Sequence, residues 1–271
     1  MQSPHLLPDR AVIRIAGDER RSFLQGLVTQ DIDALSPEQA IFASLLTPQG
    51  KILFDFFLAE DGEAILIDCD AETAPALAKR LTLYKLRAKV EIGIDDALAV
   101  LSAETAADAP GGIAFEDPRL PAMGWRILAK ADGADASGDY DARRLRLGVP
   151  EFGKDYGSDA MFLLDVNYDA LNGVSYKKGC FVGQEVTSRM KRKGEARRRA
   201  LIVEFDGPAP EKGSPIEAGE STIGEILSGA EGRALALIRM DRREKAEAAG
   251  AEPTCGARPV RLSVPDYLEQ V

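Results

Sequence analysis

Along the first ninety-odd residues the apolar positions switch between the period of a strand and that of a helix. "RAVIRIAG", "AIFASLL" and "ILFDFFLA" read as short strands, the last two separated by the turn "TPQGK". "ERRSFLQGLV" has helical spacing, and Asp18 is placed to cap its first free N–H groups. "EDGE" marks a hairpin into "AILID", Asp70 is placed to cap a longer helix through "LAKRLTLYKLR", and "KVEIGI" closes the unit as a strand. This order predicts two helices across a mostly antiparallel sheet, a ferredoxin-like arrangement.

A second unit is expected to begin near Ala97. "ALAVLSA" and "GWRILAKA" read as strands, and "GADASGD" between Gly133 and Asp139 as a loop. "YDARRLRLG" reads as a helix capped by Asp139 and ended by Gly148 and Pro150. The stretch 151–172 is rich in turn formers, and irregular segments on a rigid scaffold often carry binding residues. After Arg199 the short strands "ALIVEF", "STIGEILSG", "ALALIRM" and "PVRLSV" alternate with Gly and Pro turns, the pattern of a small β-barrel. Three domains follow: 1–95, a ferredoxin-like α/β module; 96–194, a second α/β module; and 195–271, a C-terminal β-barrel, with the last boundary beside Gly194.

Composition narrows the chemistry. The single histidine, His5, sits near an end expected to be mobile, so no two-histidine metal motif is possible and a Ser-His-Asp triad would have to recruit it. Cys69, Cys180 and Cys255 are widely separated and form no CxxC pair, which argues against a disulfide framework. No apolar run approaches the roughly eighteen residues of a membrane helix. "MQSPHLLPDR" has neither a basic start nor a leader-length apolar run, and the cytoplasm is the expected location. The net charge of −10 weighs against a nucleic-acid binder that uses its whole surface. Yet seven Lys or Arg residues fall between Arg189 and Arg199. They form either a solvated face or an anion-binding edge for phosphate, polyglutamate or RNA.

Within "YKKGCFVGQEVTSRM", Cys180 follows Lys177 and Lys178 and lies between Gly179 and Gly183. A lone cysteine is commonly a buried structural one; cations and a helix N-terminus nearby would instead favour the nucleophilic thiolate. The two glycines let the backbone turn tightly or approach a ligand closely. Gln184 and Glu185 are either first-turn dipole partners or hydrogen-bonding groups at a pocket mouth. Asp55 interrupts the apolar strand "ILFDFFL", where alternation puts it on the face of Leu53 and Phe57. It either faces solvent or is free to bind an amine or a heterocyclic N–H.

"KKGCFVGQE" resembles the KGCxxGQE signature of the YgfZ-type folate-binding proteins, relatives of the glycine-cleavage T-protein (aminomethyltransferase). "FLQGLVTQD", "LLTPQGKILFDFF", "YKLRAKV" and "RLRLGVPEFG" follow the same family's order, so the resemblance covers most of the chain. It implies an α+β, aminomethyltransferase-like fold: ferredoxin-like α/β modules around a central cavity, plus a small C-terminal β-barrel. It implies a folate-binding accessory protein that supports assembly or repair of iron–sulfur clusters in client enzymes, tRNA-modifying ones included. The alternative is a folate-dependent aminomethyl or one-carbon transferase using Asp55. On the first reading Cys180 is the working thiol and Lys178 favours its ionised form. Asp55, Asn167, Gln184, Glu185 and Arg189 would contact tetrahydrofolate, and no residue is assigned to a metal. The implied partners are reduced folate and iron–sulfur client or assembly proteins, with RNA as a further contact of the basic run and no membrane. One cysteine argues against a permanent cluster held by this chain alone. One position departs from the T-protein pattern: "RLRLG" puts Arg146 where those proteins carry the carboxylate that reads the pterin. A guanidinium has donors only, so Glu151 or Asp165 is the alternative acid.

Overall fold

The computed structural model describes residues 4–106, 112–131, 134–136, 138–192 and 196–269. Gly133, at one end of the expected loop, and Gly194, at the expected boundary, lie outside the described residues. The chain divides into two compact units, Met1–Tyr140 with Leu171–Gln184, and Asp141–Ala170 with Glu185–Val271.

In the first unit the strands β1 (His5–Leu6) and β2 (Arg10–Ala16) precede helix α1 (Arg20–Gln25). Then come β3 (Ile41–Leu46), β4 (Ile52–Asp61), β5 (Ala64–Asp70), helix α2 (Ala74–Lys85) and β6 (Glu91–Ile94). An antiparallel sheet orders them β3-β4-β5-β2-β6. Its last four strands are the expected ferredoxin-like set, and β3 extends the sheet at one edge. Phe54, Phe56 and Leu58 point to one face, where they pack with Leu24 of α1 and Leu77 and Leu81 of α2. At about 25 cal/mol per Å² of apolar surface removed from water, such a face stabilises the unit strongly.

Helix α1 is shorter than its periodicity predicts, and Glu19, not Asp18, occupies its N-cap without a side-chain bond. Sheet pairing ends it: Val28 bridges to Leu45, and the Thr29 N–H donates to the Ser44 carbonyl at 3.0 Å. Asp70 does hold the entrance to α2, three residues before the N-cap Thr73. Its Oδ1 accepts from the Thr73 N–H at 2.9 Å and the Thr73 hydroxyl at 2.8 Å. His5 is not at a loose end, because β1 pairs with β7 (Ala99–Ala103) and sets His5 opposite Ser102. With β8 (Ile113–Glu116) and β9 (Trp125–Ala129) these form a second sheet, ordered β1-β7-β9-β8.

The other face of the first sheet is covered by charge. Asp68 accepts from Arg10 and from Arg126, each at 2.6 Å, and Asp117 accepts from Arg119 at 2.8 Å. The three guanidinium groups lie over the Phe57 ring, with Arg126 nearest at 3.8 Å from its centroid. Buried charges persist only when paired. Burial opposes ionisation of Asp117, but Arg119 and Arg126 hold its carboxyl below the usual range.

Helix α3 (Tyr140–Leu147) and helix α4 (Gln184–Arg192) cross the points where the chain passes between units. Gly148, at φ 75, ends α3 as expected. The second unit is built on β10 (Arg198–Glu204), β11 (Pro215–Ala218), β12 (Ser221–Ala230) and β13 (Arg233–Arg239). Helix α5 (Met240–Ala248), β14 (Pro253–Cys255), β15 (Arg258–Pro259) and β16 (Arg261–Ser263) follow. The seven strands run β15-β14-β11-β12-β13-β10-β16 around a core of Leu201, Ile216, Ile226 and Ile238. Helix α5 was not legible in the sequence, since its only buried residue is Ala246.

Candidate functional site

The cysteine loop belongs to the first unit and is fastened there at both ends. Thr29 begins the fastening: its hydroxyl donates to the Gly173 carbonyl at 2.6 Å and accepts from the Ser44 N–H at 2.8 Å. Its carbonyl takes the Ser175 N–H at 3.0 Å, while the Gln30 amide holds the Asn172 carbonyl at 2.6 Å. Thr29 lies inside "FLQGLVTQD", but nothing local to that motif shows that its hydroxyl and carbonyl would bind the segment that begins at Gly173, 144 residues away.

Lys178 makes the next attachment. Its ammonium donates to the carbonyls of Gln25, Val28 and Gln30 at 2.7–2.8 Å. These are the acceptors left open where α1 ends early, and three converging carbonyls match the three donors of an ammonium. Burial pushes the Lys178 amine down to about 8, against the pull of Asp31 and Asp33. The charge expected to serve the thiol is therefore engaged inside the fold. Phe181 is buried beside it, its ring centroid 5.6 Å from Nζ.

At the far end Gly183 adopts φ +82, and a Cβ there would stand 2.8 Å from the Thr47 carbonyl and 3.1 Å from Gly50 Cα. The "TPQGK" turn thus requires glycine at this position. Gly179 is different, because a Cβ on it would meet open space. Between these fixed points Cys180 is exposed, while Cys69 and Cys255 are buried. Burial pushes the Cys69 thiol up to about 12, with Arg10 pulling the other way, and burial also raises Cys255.

The expected folate contacts are scattered in setting. Asp55 is only 4% exposed, so it does not face solvent. It stands directly across from Ser44, whose buried hydroxyl has no hydrogen-bond partner among the described residues. A bulge breaks the alternation that would have put Leu53 on this face: Leu45 pairs with Phe54 and Leu46 with Ile52, and Leu53 packs toward the helices. Gln184 is half-buried, its amide reaching the Gly179 carbonyl at 3.5 Å, and Glu185 and Arg189 are exposed. In the second unit Asn167, at φ 64, is fully buried, and its amide donates to the Ala200 carbonyl at 2.8 Å and the Tyr267 hydroxyl at 3.0 Å. Its Oδ1 has no partner among the described residues. Arg146 is exposed, and Glu151 is buried. Asp165 is buried as well and is bound by Arg198 at 2.6 Å and by the Phe162 N–H at 3.0 Å. Part of the basic run is therefore engaged within the fold: Arg198 pairs with Asp165, and Arg199 grips Asp169 with two bonds at 2.5 and 2.8 Å.

Residues 197–270 match the C-terminal β-barrel domain of CAF17. The structure also resembles the crystal structure of the glycine cleavage system aminomethyltransferase T from Bartonella henselae, with a TM-score of 0.70 over 99% of this chain and 86% of that one. At 18% identity this likeness defines the fold as aminomethyltransferase-like with a C-terminal barrel. In sequence the chain is 31% identical to the mitochondrial iron–sulfur cluster assembly factor IBA57 of Mus musculus, over 87% of this chain and 77% of that protein. It is 32% identical to the Homo sapiens protein, over 86% and 76%. To the Neurospora crassa homolog it is 31% identical, over 76% of this chain and 54% of that longer protein. The chain belongs to the IBA57 family of iron–sulfur cluster assembly factors. These relatives are mitochondrial proteins, which overturns the expected cytoplasmic location. That expectation rested on what the first ten residues lack, and such a lack carries no address.

Proposed function

We propose that this chain supports iron–sulfur cluster assembly through the thiol of Cys180, offered on a loop that the fold holds in one place. The observation that carries the reading is the contrast among the three cysteines: two are buried, and the third is exposed between fixed attachments. A fully ligated cluster usually takes four protein ligands. One thiol therefore acts together with a partner that supplies the others, and the open space over Gly179 leaves room for that partner's backbone. Lys178 is a positioning residue here, since it acts on Cys180 only by fixing the loop. The cluster is cargo on this reading.

The likeness to YgfZ-type proteins extends the proposal to a reduced folate and to clients that include tRNA-modifying enzymes. The residues fit such a ligand in one respect. Buried Asp55 stands across from Ser44, whose hydroxyl has no partner among the described residues, and a carboxylate acceptor suits the amino and ring N–H groups of a pterin. Gln184 offers a further polar contact in the same unit; Glu185, Arg189 and Asn167, whose Oδ1 has no partner among the described residues, belong to the other unit. For RNA or polyglutamate, the exposed Arg189, Arg192 and Arg197 are the candidates in the basic run. The same buried Asp55 favours the second reading, an aminomethyl or one-carbon transferase.

A strain lacking the protein, assayed for several iron–sulfur enzymes and complemented with variants, tests the first reading. Cys180→Ser should fail to restore those activities, and Cys180 should be alkylated well ahead of Cys69 and Cys255 in the folded protein. Full complementation by Cys180→Ser would overturn the assignment. Calorimetry with tetrahydrofolate should show binding that Asp55→Asn weakens. Turnover of an aminomethyl donor that needs Asp55 but ignores Cys180 would favour the transferase.

A further inference from the structure

We propose that the outer face of the C-terminal half of α2 is a docking site for a partner protein presenting an acidic amphipathic helix. Helix α2 has two stripes. Ala74, Leu77 and Leu81 form the inner one, buried against the sheet. The outer one runs through Lys79, Arg80 and Leu83, three and four residues apart on one face, and Leu86 and Arg87 follow in the turn just past the end of the helix. Leu83 is 63% exposed and Leu86 89%, the two most exposed large apolar side chains among the described residues.

Leu86 adds a second cost. It stands at φ 47, ψ −102, a backbone setting that favours glycine, and this position places its side chain in water. Strain and an exposed leucine at one residue gain nothing for the folded chain alone. Both are accounted for if the side chain is covered when a partner binds.

Charge specifies the partner. From Ala74 to Lys89 the chain has five Lys or Arg residues and no Asp or Glu, although its net charge is −10. Among the described residues the side chains of Lys79, Arg80, Arg87 and Lys89 make no ion pair or hydrogen bond, although the Lys89 backbone N–H donates to the Glu19 carboxylate at 3.0 Å. Two exposed leucines, one in the last turn of α2 and one at its C-cap, flanked by cations, complement a helix with leucines on one stripe and carboxylates flanking it.

The test uses the full chain and, as probe, a labelled synthetic peptide of about 20 residues with Leu at helical i, i+3, i+4, i+7 spacing and Glu elsewhere. Wild type should bind it in fluorescence anisotropy, more weakly as salt rises. Leu83→Gln/Leu86→Gly and Arg80→Glu/Arg87→Glu should each weaken binding at least tenfold. A control peptide with Ser in place of Leu should bind poorly and should not distinguish wild type from the leucine variant. Leu86→Gly should also melt no lower than wild type, because glycine relieves the strained φ, so its binding loss is not a folding defect. Equal peptide affinity for wild type and both variants, or no binding at low salt, would overturn the proposal. So would binding to phosphatidylglycerol-containing vesicles without binding to the peptide, since the face would then be a membrane contact.

Discussion

Two segments of this acidic chain concentrate positive charge, and the fold treats them in opposite ways. Along the sequence, Lys177 to Arg199 has the stronger look of an anion site, and Lys79 to Lys89 passes for an ordinary helix surface. In three dimensions Lys178 is enclosed by three carbonyls, Arg198 meets Asp165, and Arg199 is clamped on Asp169. The cations of α2 meet no such acceptors among the described residues, and two leucines stand exposed among them. Charge density along a chain thus says little about charge offered to a partner. What decides is whether distant segments bring acceptors to it. A cation with converging acceptors contributes to the fold, and one without them stays available.

Arg199 gives the sharpest way to break this comparison. Arg199→Ala strands the partly buried Asp169 carboxylate and should cost roughly 2–3 kcal/mol in urea denaturation. A loss too small to measure would put Arg199 with the available charges. Lys178→Met comes next: it leaves three carbonyls without their donor and should cost about 2 kcal/mol. Lys178→Arg should not restore it, because a flat guanidinium cannot aim three donors at one converging set. The same variant should report a pH effect. With the folded-state value near 8 and the ordinary value at 10.5, the unfolded chain holds more protons between those limits. Stability of wild type relative to Lys178→Met should therefore rise with pH from about 8 to 10.5, and stay level below pH 8. Parallel denaturation curves at both ends of that window check the sign. Smallest of all, Arg80→Gln/Arg87→Gln should change stability by no more than about 0.5 kcal/mol. A larger loss would show that α2 needs those side chains for folding and would erase the contrast.

Much of the first unit was legible because its elements obey local rules. Strands such as "ILFDFFLA" announce themselves by β-branched and aromatic runs between turns, and the hairpin from β4 into β5 by "EDGE". The misses share a cause. The periodicity of "ERRSFLQGLV" continues past Gly26, but pairing of Val28 with Leu45 ends the helix. Strand β8, only four residues long, exists through its ladder to β9. Asp55 could not be told from a solvent-facing residue, because arginines from other strands and loops cover its face of the sheet.

The same division holds for the candidate site. By itself the sequence determined the order of strands and helices, a cysteine set between two glycines, and a helix following it. These are properties of a few contiguous residues, governed by steric limits on the backbone and by the spacing of apolar side chains. Only the tertiary structure decided that Cys180 alone of the three thiols reaches solvent and that Asp55 is buried beside Ser44. It also decided that Lys178 bonds carbonyls up to 153 positions away and that Leu83 and Leu86 are left uncovered. Burial and the choice of partner depend on surfaces assembled from remote parts of the chain, and no local pattern encodes which surfaces will meet.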